Sequence, residues 1–454
     1  MRSNANFPPL RTVLSIPGDA GSHYELGLMY EAGRGVPKDD AEAAHWYRSA
    51  AEQGHARAQY ALGRRYSEGR GVAQDAAEAF VWYRMAAEQG FDRAQYALAR
   101  MFSVGEGVPQ DDGEAVRWLR KAAQQGYAQA QNDLGVMYEH GRGVAQDYVE
   151  AARCYVSAAE QGDVSAQNNL GFLYETGRGV PQNDLIAVHW YRKAAERGHA
   201  QAQHNLGVMY QCGRGLLQDY AEAHRWFRKA AERGLAVAQN SLGFLYERGL
   251  GVPADPDVAA KWYRKSAAQG HAHAQNNLGV MYQGGHGVAH DPAEARSWFQ
   301  VAAEQGLAVA QYNLGVMLES GLGGPKDYAE GQRLFRAAAE QENASAQFSL
   351  GVLFERGLGV PQDYVEAVRW YRRAADHGDA AAQLNLGIMY YFGRGVPQDY
   401  VEAHKWLNLA ASRFLASEGE KRAQAIKNRD IVAKKMPRFR IAEAQRLARE
   451  WKPK

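Results

Sequence analysis

The sequence predicts an all-α fold: an α/α solenoid of eleven 36-residue helix-turn-helix repeats, closed by a helical C-terminal cap. Three observations lead there. The leucine that opens a Leu-Gly or Leu-Ala pair stands at Leu26, Leu62, Leu98 and onward to Leu386, always 36 residues apart and without an insertion. Apolar residues inside each repeat recur with the helical period. Each periodic stretch is also bounded by residues that start or stop a helix. A constant period means that every repeat meets its neighbour in the same way.

The elements follow in chain order. Residues 1–17 carry Pro8, Pro9 and Pro17 and no apolar run of signal-peptide length, so a disordered lead segment is expected rather than an export signal. Gly18 falls in the register of Gly54, the glycine between repeats. Nothing ahead of it resembles a cap, so the first repeat is expected to present a face to a partner or to an upstream continuation. The repeat array spans 18–412. In its second repeat Ala58, Leu62 and Tyr66 share one helical face. Gly69 and Gly71, in the "GRGV" stretch, stop that helix. Asp75 with Glu78 three residues later has the spacing of a capping box. Ala79, Trp82, Tyr83 and Ala86 then form the inner stripe of the second helix, and Gly90 ends it. Small residues such as Gly63, Ala86 and Ala87 allow close approach, and each aromatic ring buries on the order of 150–250 Å². The tryptophan place is taken by Cys154 and Leu334 in two repeats, which makes Cys154 a core filler. Residues 413–454 form the cap, with a basic helix near Glu418 to Lys435 and an amphipathic one through Ala442, Leu447, Ala448 and Trp451.

The pattern Ala-x-x-x-Leu-Gly-x-x-Tyr, Gly-x-Gly-Val-x-x-Asp-x-x-Glu-Ala, Trp-Tyr-x-x-Ala-Ala-Glu-x-Gly resembles Sel1-like repeats, relatives of tetratricopeptide repeats. The likeness covers roughly Gly18 to Ala411. The tail also looks like the closing segment of bacterial proteins of this type, although Met436-Pro437-Arg438 stands where such tails often read Met-Thr-Pro. The resemblance implies a right-handed superhelical stack and a bacterial adaptor or regulator that assembles signalling or envelope complexes or engages host proteins. Some cysteine-rich members are linked to penicillin recognition. This chain lacks their paired cysteines, so that activity is not carried over.

Composition excludes several other functions. Lys plus Arg is 53 and Asp plus Glu is 51, for a net charge of +2. The 413–454 segment holds 13 basic and 5 acidic residues, so it carries +8 and the remainder −6. No nucleic-acid partner is expected; the basic cap offers contact to an acidic partner. Cys154 and Cys212 lie in different repeats, which fits no disulfide scaffold. No run of about 18 apolar residues occurs, so no membrane span is expected. With no export signal read, a cytoplasmic location is expected, or a periplasmic or secreted one if the amino end is incomplete. No Gly-x-Ser-x-Gly, His-Glu-x-x-His or Gly-Lys sequence occurs, and no serine has a lysine three residues later. The "GRG" tripeptides follow helices, unlike a dinucleotide fingerprint. His271 and His273 are separated from His286 and His290 by a helix of roughly 18–21 Å, too far to share a metal. No catalytic residue, metal or cofactor is expected.

What remains is surface. The residue before each Leu-Gly includes Asn169, Asn205, Asn277, Asn313 and Asn385. Two residues after each leucine stand Val136, Phe172, Val208, Phe244, Val280 and Val316. These two columns lie three apart and share a face of the first helix. An asparagine amide both donates and accepts, which matches a peptide bond. The columns therefore suit an extended peptide read through its backbone; alternatively the asparagines join neighbouring first helices. In the second and third repeats Arg64, Arg65 and Arg100 make a basic patch, suited to an acidic stretch of ligand or to solubility. The expected function is a non-enzymatic scaffold or adaptor for protein–protein contacts. A regulatory subunit of an enzyme complex is the alternative, and a cell-wall hydrolase or β-lactamase-like enzyme lies further off.

Overall fold

The punctuation read from the repeats sets the architecture. A computed structural model describes residues 18–453, so the lead segment 1–17 lies outside the described residues. The first repeat forms helices Ala20–Ala32 and Asp40–Glu52. Later pairs follow in steps of 36, from Ala56–Glu68 with Ala76–Glu88 to Ala380–Phe392 with Tyr400–Arg413. Among the described residues there are twenty-four α-helices and no strand. They fall into two compact units, one ending at Trp226 and one beginning at Phe227. The same packing rules hold inside each.

Helix starts obey the capping signal, with one correction. Asp75 Oδ1 accepts from the backbone N–H groups of Ala77 at 2.9 Å and Glu78 at 3.1 Å. Glu78 does not supply the reciprocal arm of a capping box; its carboxylate accepts from Trp82 Nε1 at 3.2 Å. Glu294 and Glu402 serve Trp298 and Trp406 in the same way at 2.9 Å. In these three repeats the acid three residues after the cap thus anchors the indole one turn later.

Helix ends reveal that the two glycines of "GRG" do different things. Gly69 has φ +66° and closes its helix in the left-handed conformation. Gly71 lies against the preceding repeat: a Cβ there would sit 1.9 Å from the Asp40 carbonyl oxygen. Gly143 over Asp112 and Gly179 over Tyr148 repeat that contact at 2.1 Å. The tripeptide is therefore a stop followed by a joint between repeats.

A buried amide forms the other joint. Ten glutamines, from Gln59 to Gln383, each donate through Nε2 to a carbonyl in the last turn of the preceding second helix, at 3.0 to 3.4 Å. Each of those carbonyls also accepts from the backbone N–H three residues on, as Ala51 does from Gly54 at 3.0 Å, so the glutamine fills a second acceptor site and ties the repeats together.

The core separates two residues that the sequence placed together. Tyr47, Tyr155, Tyr191, Tyr263 and Tyr371 are wholly buried, as are Phe299 and Phe335. The preceding tryptophan is only half-buried at Trp82, Trp190, Trp262 and Trp298, although Trp118 and Trp370 are buried. The reason is position. The second aromatic of each pair lies on the Leu-Gly glycine of its own repeat, and a Cβ at Gly171 would meet the Tyr191 ring at 2.7 Å. Trp190 instead lies over the cluster from Ala151 to Leu173, on the seam with the preceding repeat.

The cap consists of helices Gly419–Ala433 and Arg438–Glu450. Ala425 and Val432 are buried against Phe414 and Leu407 respectively. Trp451 meets Trp406 edge-on with centroids 6.1 Å apart, and the Arg413 guanidinium stacks over it at 4.5 Å. No helix among the described residues is long and apolar enough to cross a membrane.

Candidate interaction surface

The polar column is first of all a seam between first helices. Asn169 Nδ2 donates to Asn132 Oδ1 at 3.2 Å, and Asn205 Nδ2 to Asn168 Oδ1 at 3.1 Å. Asn277 meets Asn240 at 3.1 Å, and Asn313 meets Asn276 at 2.9 Å. Asn385 has Phe348 at the corresponding place and lies beside the Tyr371 hydroxyl. All five are half-buried. The inter-repeat use of these amides is thus present in the geometry, with edges still open to solvent. This is the alternative the sequence offered; periodicity could not name the acceptor, because it stands 37 residues earlier, one position out of phase with the column itself.

The apolar column runs alongside. Val136, Phe172, Val208, Phe244 and Val316 are half-buried, and Val280 is 41 % exposed.

The expected basic patch is not one. Arg65 is fully buried. It occupies a place that Met101 and Met137 fill in the next two repeats. Its guanidinium pairs with Asp40 at 2.7 Å and Glu31 at 3.0 Å, below the Tyr47 ring. Arg64 reaches the same Glu31 at 2.5 Å. A guanidinium enclosed in a core must carry its own counter-charges, so these arginines are spent internally. Arg100 alone of the three is exposed. Burial alone raises the Glu31 carboxyl, but the Tyr47 hydroxyl and the Arg65 and Arg64 charges outweigh it and hold the pKa below its usual value.

The third and fourth repeats depart further. The polar column there holds Asp133, which accepts from Tyr96 Oη at 2.9 Å and from Asn132 Nδ2 at 3.0 Å. Burial raises its pKa against the pull of those two donors. Beside it opens a cavity of about 210 Å³ whose walls include Ala99, Leu119 and Arg142.

The remaining candidates have structural employment. Cys154 is half-buried and burial pushes its thiol up to about 11, so it is protonated at neutral pH. Cys212 ends a first helix and is exposed. His271 Nδ1 caps its helix by accepting from Ala274 N at 3.2 Å, and His55 and His199 do likewise. Among the described residues no cluster of three metal-ligating side chains occurs.

Comparison with known proteins matches this geometry. The Sel1 repeat model matches eleven consecutive segments from residue 20 to residue 413, ten of 36 residues and a last one of 380–413. A crystal structure of a protective antigen from uropathogenic Escherichia coli, described as displaying an SLR fold, is 40% identical; the alignment covers 98% of this chain and 94% of that one, with a TM-score of 0.82. A Sel1 repeat protein from Oxalobacter formigenes is 36% identical over 68% of this chain and 90% of its own, with a TM-score of 0.52. No curated protein matches the sequence.

Proposed function

The chain belongs to the Sel1 repeat family, and on that premise we propose that it is a non-enzymatic scaffold that binds a protein partner through an extended segment laid along its first helices. The single observation behind this reading is the half-exposed apolar column beside the asparagine seam. The seam amides keep open edges for a peptide backbone, and the valines and phenylalanines supply apolar area. The absence of nucleophile and phosphate-binding signatures in the sequence supports a binding role over a catalytic one. The basic cap offers a secondary contact to acidic surface on the same partner.

The test is affinity capture with the full chain, identification of what binds, and repetition with Val280→Asp combined with Val316→Asp. These positions leave the asparagine seam intact. A loss of about tenfold or more in affinity, at an unchanged melting temperature, is expected if the column is the binding face. Undiminished binding by the folded double variant removes the reading. A captured enzyme whose rate the chain alters would make the protein a regulatory subunit instead.

A further inference from the structure

In most repeats an aromatic ring rests on the Leu-Gly glycine, but leucine stands there at Leu119 and Leu407. A cavity opens beside each of these leucines: about 210 Å³ at Leu119 and about 440 Å³ at Leu407. The fifth repeat shows what the space ordinarily holds. There the Tyr191 ring lies against Gly171, its hydroxyl donates to Glu175 at 2.7 Å, and Asn205 and Arg214 stand close to it. The third-repeat cavity is walled by the residues at those same four repeat positions, namely Ala99, Ser103, Asp133 and Arg142. The arginine is retained, alanine, serine and aspartate replace the glycine, glutamate and asparagine, and the tyrosine is missing.

We propose that this cavity is a binding site for a phenolic ring, the side chain of a tyrosine in the partner peptide; the peptide part rests on the functional reading above. Size permits it, since a cavity of roughly 150 Å³ suffices for benzene. Leu119, Val136 and Met137 provide apolar wall. The polar end is already organised. Arg142 is held by Asp112 at 2.9 Å and reaches Ser103 Oγ at 3.4 Å. Asp133 is fixed by Tyr96 and Asn132. A hydroxyl both donates and accepts, so it can serve the Asp133 carboxylate and the Arg142 guanidinium at once, in addition to the partners they already have, whereas an alkyl or plain phenyl group offers them no hydrogen bond. Asp133 and Val136 belong to the two surface columns, so a peptide lying there passes the mouth of the cavity.

The probe is 4-methylphenol, the tyrosine side chain as a free molecule, titrated against the full chain and followed by NMR, with toluene as comparison. Saturable binding with a preference over toluene of about tenfold is expected. Leu119→Tyr combined with Ala99→Gly rebuilds the missing ring and should abolish that binding. Leu119→Phe is the second filling variant, should the first fold poorly. Absent binding in the unaltered chain, equal binding in the filled variants, or toluene binding as tightly as the phenol would each overturn the site. The identified partner should also bind the filled variants about tenfold or more weakly; equal binding would overturn the tyrosine anchor. Failure of the column variants with the phenol titration intact would instead sink only the groove reading, so the two remain distinguishable.

Discussion

Asp133 and Glu31 are two carboxylates whose environments act in opposite directions, and acid should distinguish them. Burial raises the folded pKa of Asp133, so its ionised form is penalised at neutral pH. Asp133→Asn restores the amide found at Asn169 and Asn205. It should stabilise the protein at pH 7 by on the order of 0.5–2 kcal/mol. The gain should shrink as pH falls and Asp133 takes up its proton in the folded state. Glu31 behaves in reverse. Its folded pKa is lowered, so its contribution is present above the unfolded carboxylate value near ~4.3 and is lost as pH falls through the folded one. Glu31→Gln should therefore destabilise at pH 7 and approach neutrality in acid. Melting temperatures across pH 3 to 7 check both; parallel curves for the two variants would refute the assigned environments.

At the scale of the element, the ring of the second helix commonly rests on a glycine of the first, although Gly387 faces Leu407. Gly171 faces Tyr191 and Gly351 faces Tyr371, whereas Ala99 faces Leu119. Gly171→Ala forces a Cβ within 2.7 Å of the Tyr191 ring and should cost about 1–3 kcal/mol. Tyr191→Leu should cost a similar amount by cavity formation. Together they recreate the third-repeat pair, so the double variant should cost less than the sum by about 1 kcal/mol. Urea midpoints of the three variants decide it, and strict additivity would contradict the contact. This pair also marks what the sequence could disclose. The 36-residue period, the helix ends and Asp75 as a cap were legible because each is a local signal. The joint at Gly71 and the ion pairs of Arg65 were not, and for Asn205 the sequence offered a bond between first helices without naming Asn168 as its partner. They join positions that are out of phase with the repeat, and a column of identical residues does not say which neighbour it touches. Arg65 read as surface charge because periodicity reports a face, while burial depends on what stands opposite.

For the molecule as a whole, stability in a repeat array is a sum of each helix pair's own stability and the interfaces it shares. An end repeat has lost one of its two interfaces, so what covers it decides whether it stays folded. In the unit from Phe227 onward, that cover is the 413–454 segment. Ala425 packs against Ala410, Ala411 and Phe414, and Val432 packs against Ala403 and Leu407. Trp451 adds an edge contact to Trp406. Truncation after Arg413 strips these contacts from the last repeat and leaves the joint at Gly395 and the amide bond from Gln383 in place. The expected outcome is local. Amide hydrogen exchange should accelerate by tenfold or more in 380–413, fade over the next repeat or two, and stay unchanged near Ala259 to Met281. Uniform acceleration through the whole unit would mean that it unfolds as one cooperative body and that its repeats are not energetically separable. No acceleration at all would mean that the last helix pair needs no cover, and that the basic helices of the cap are free to serve a partner rather than the fold.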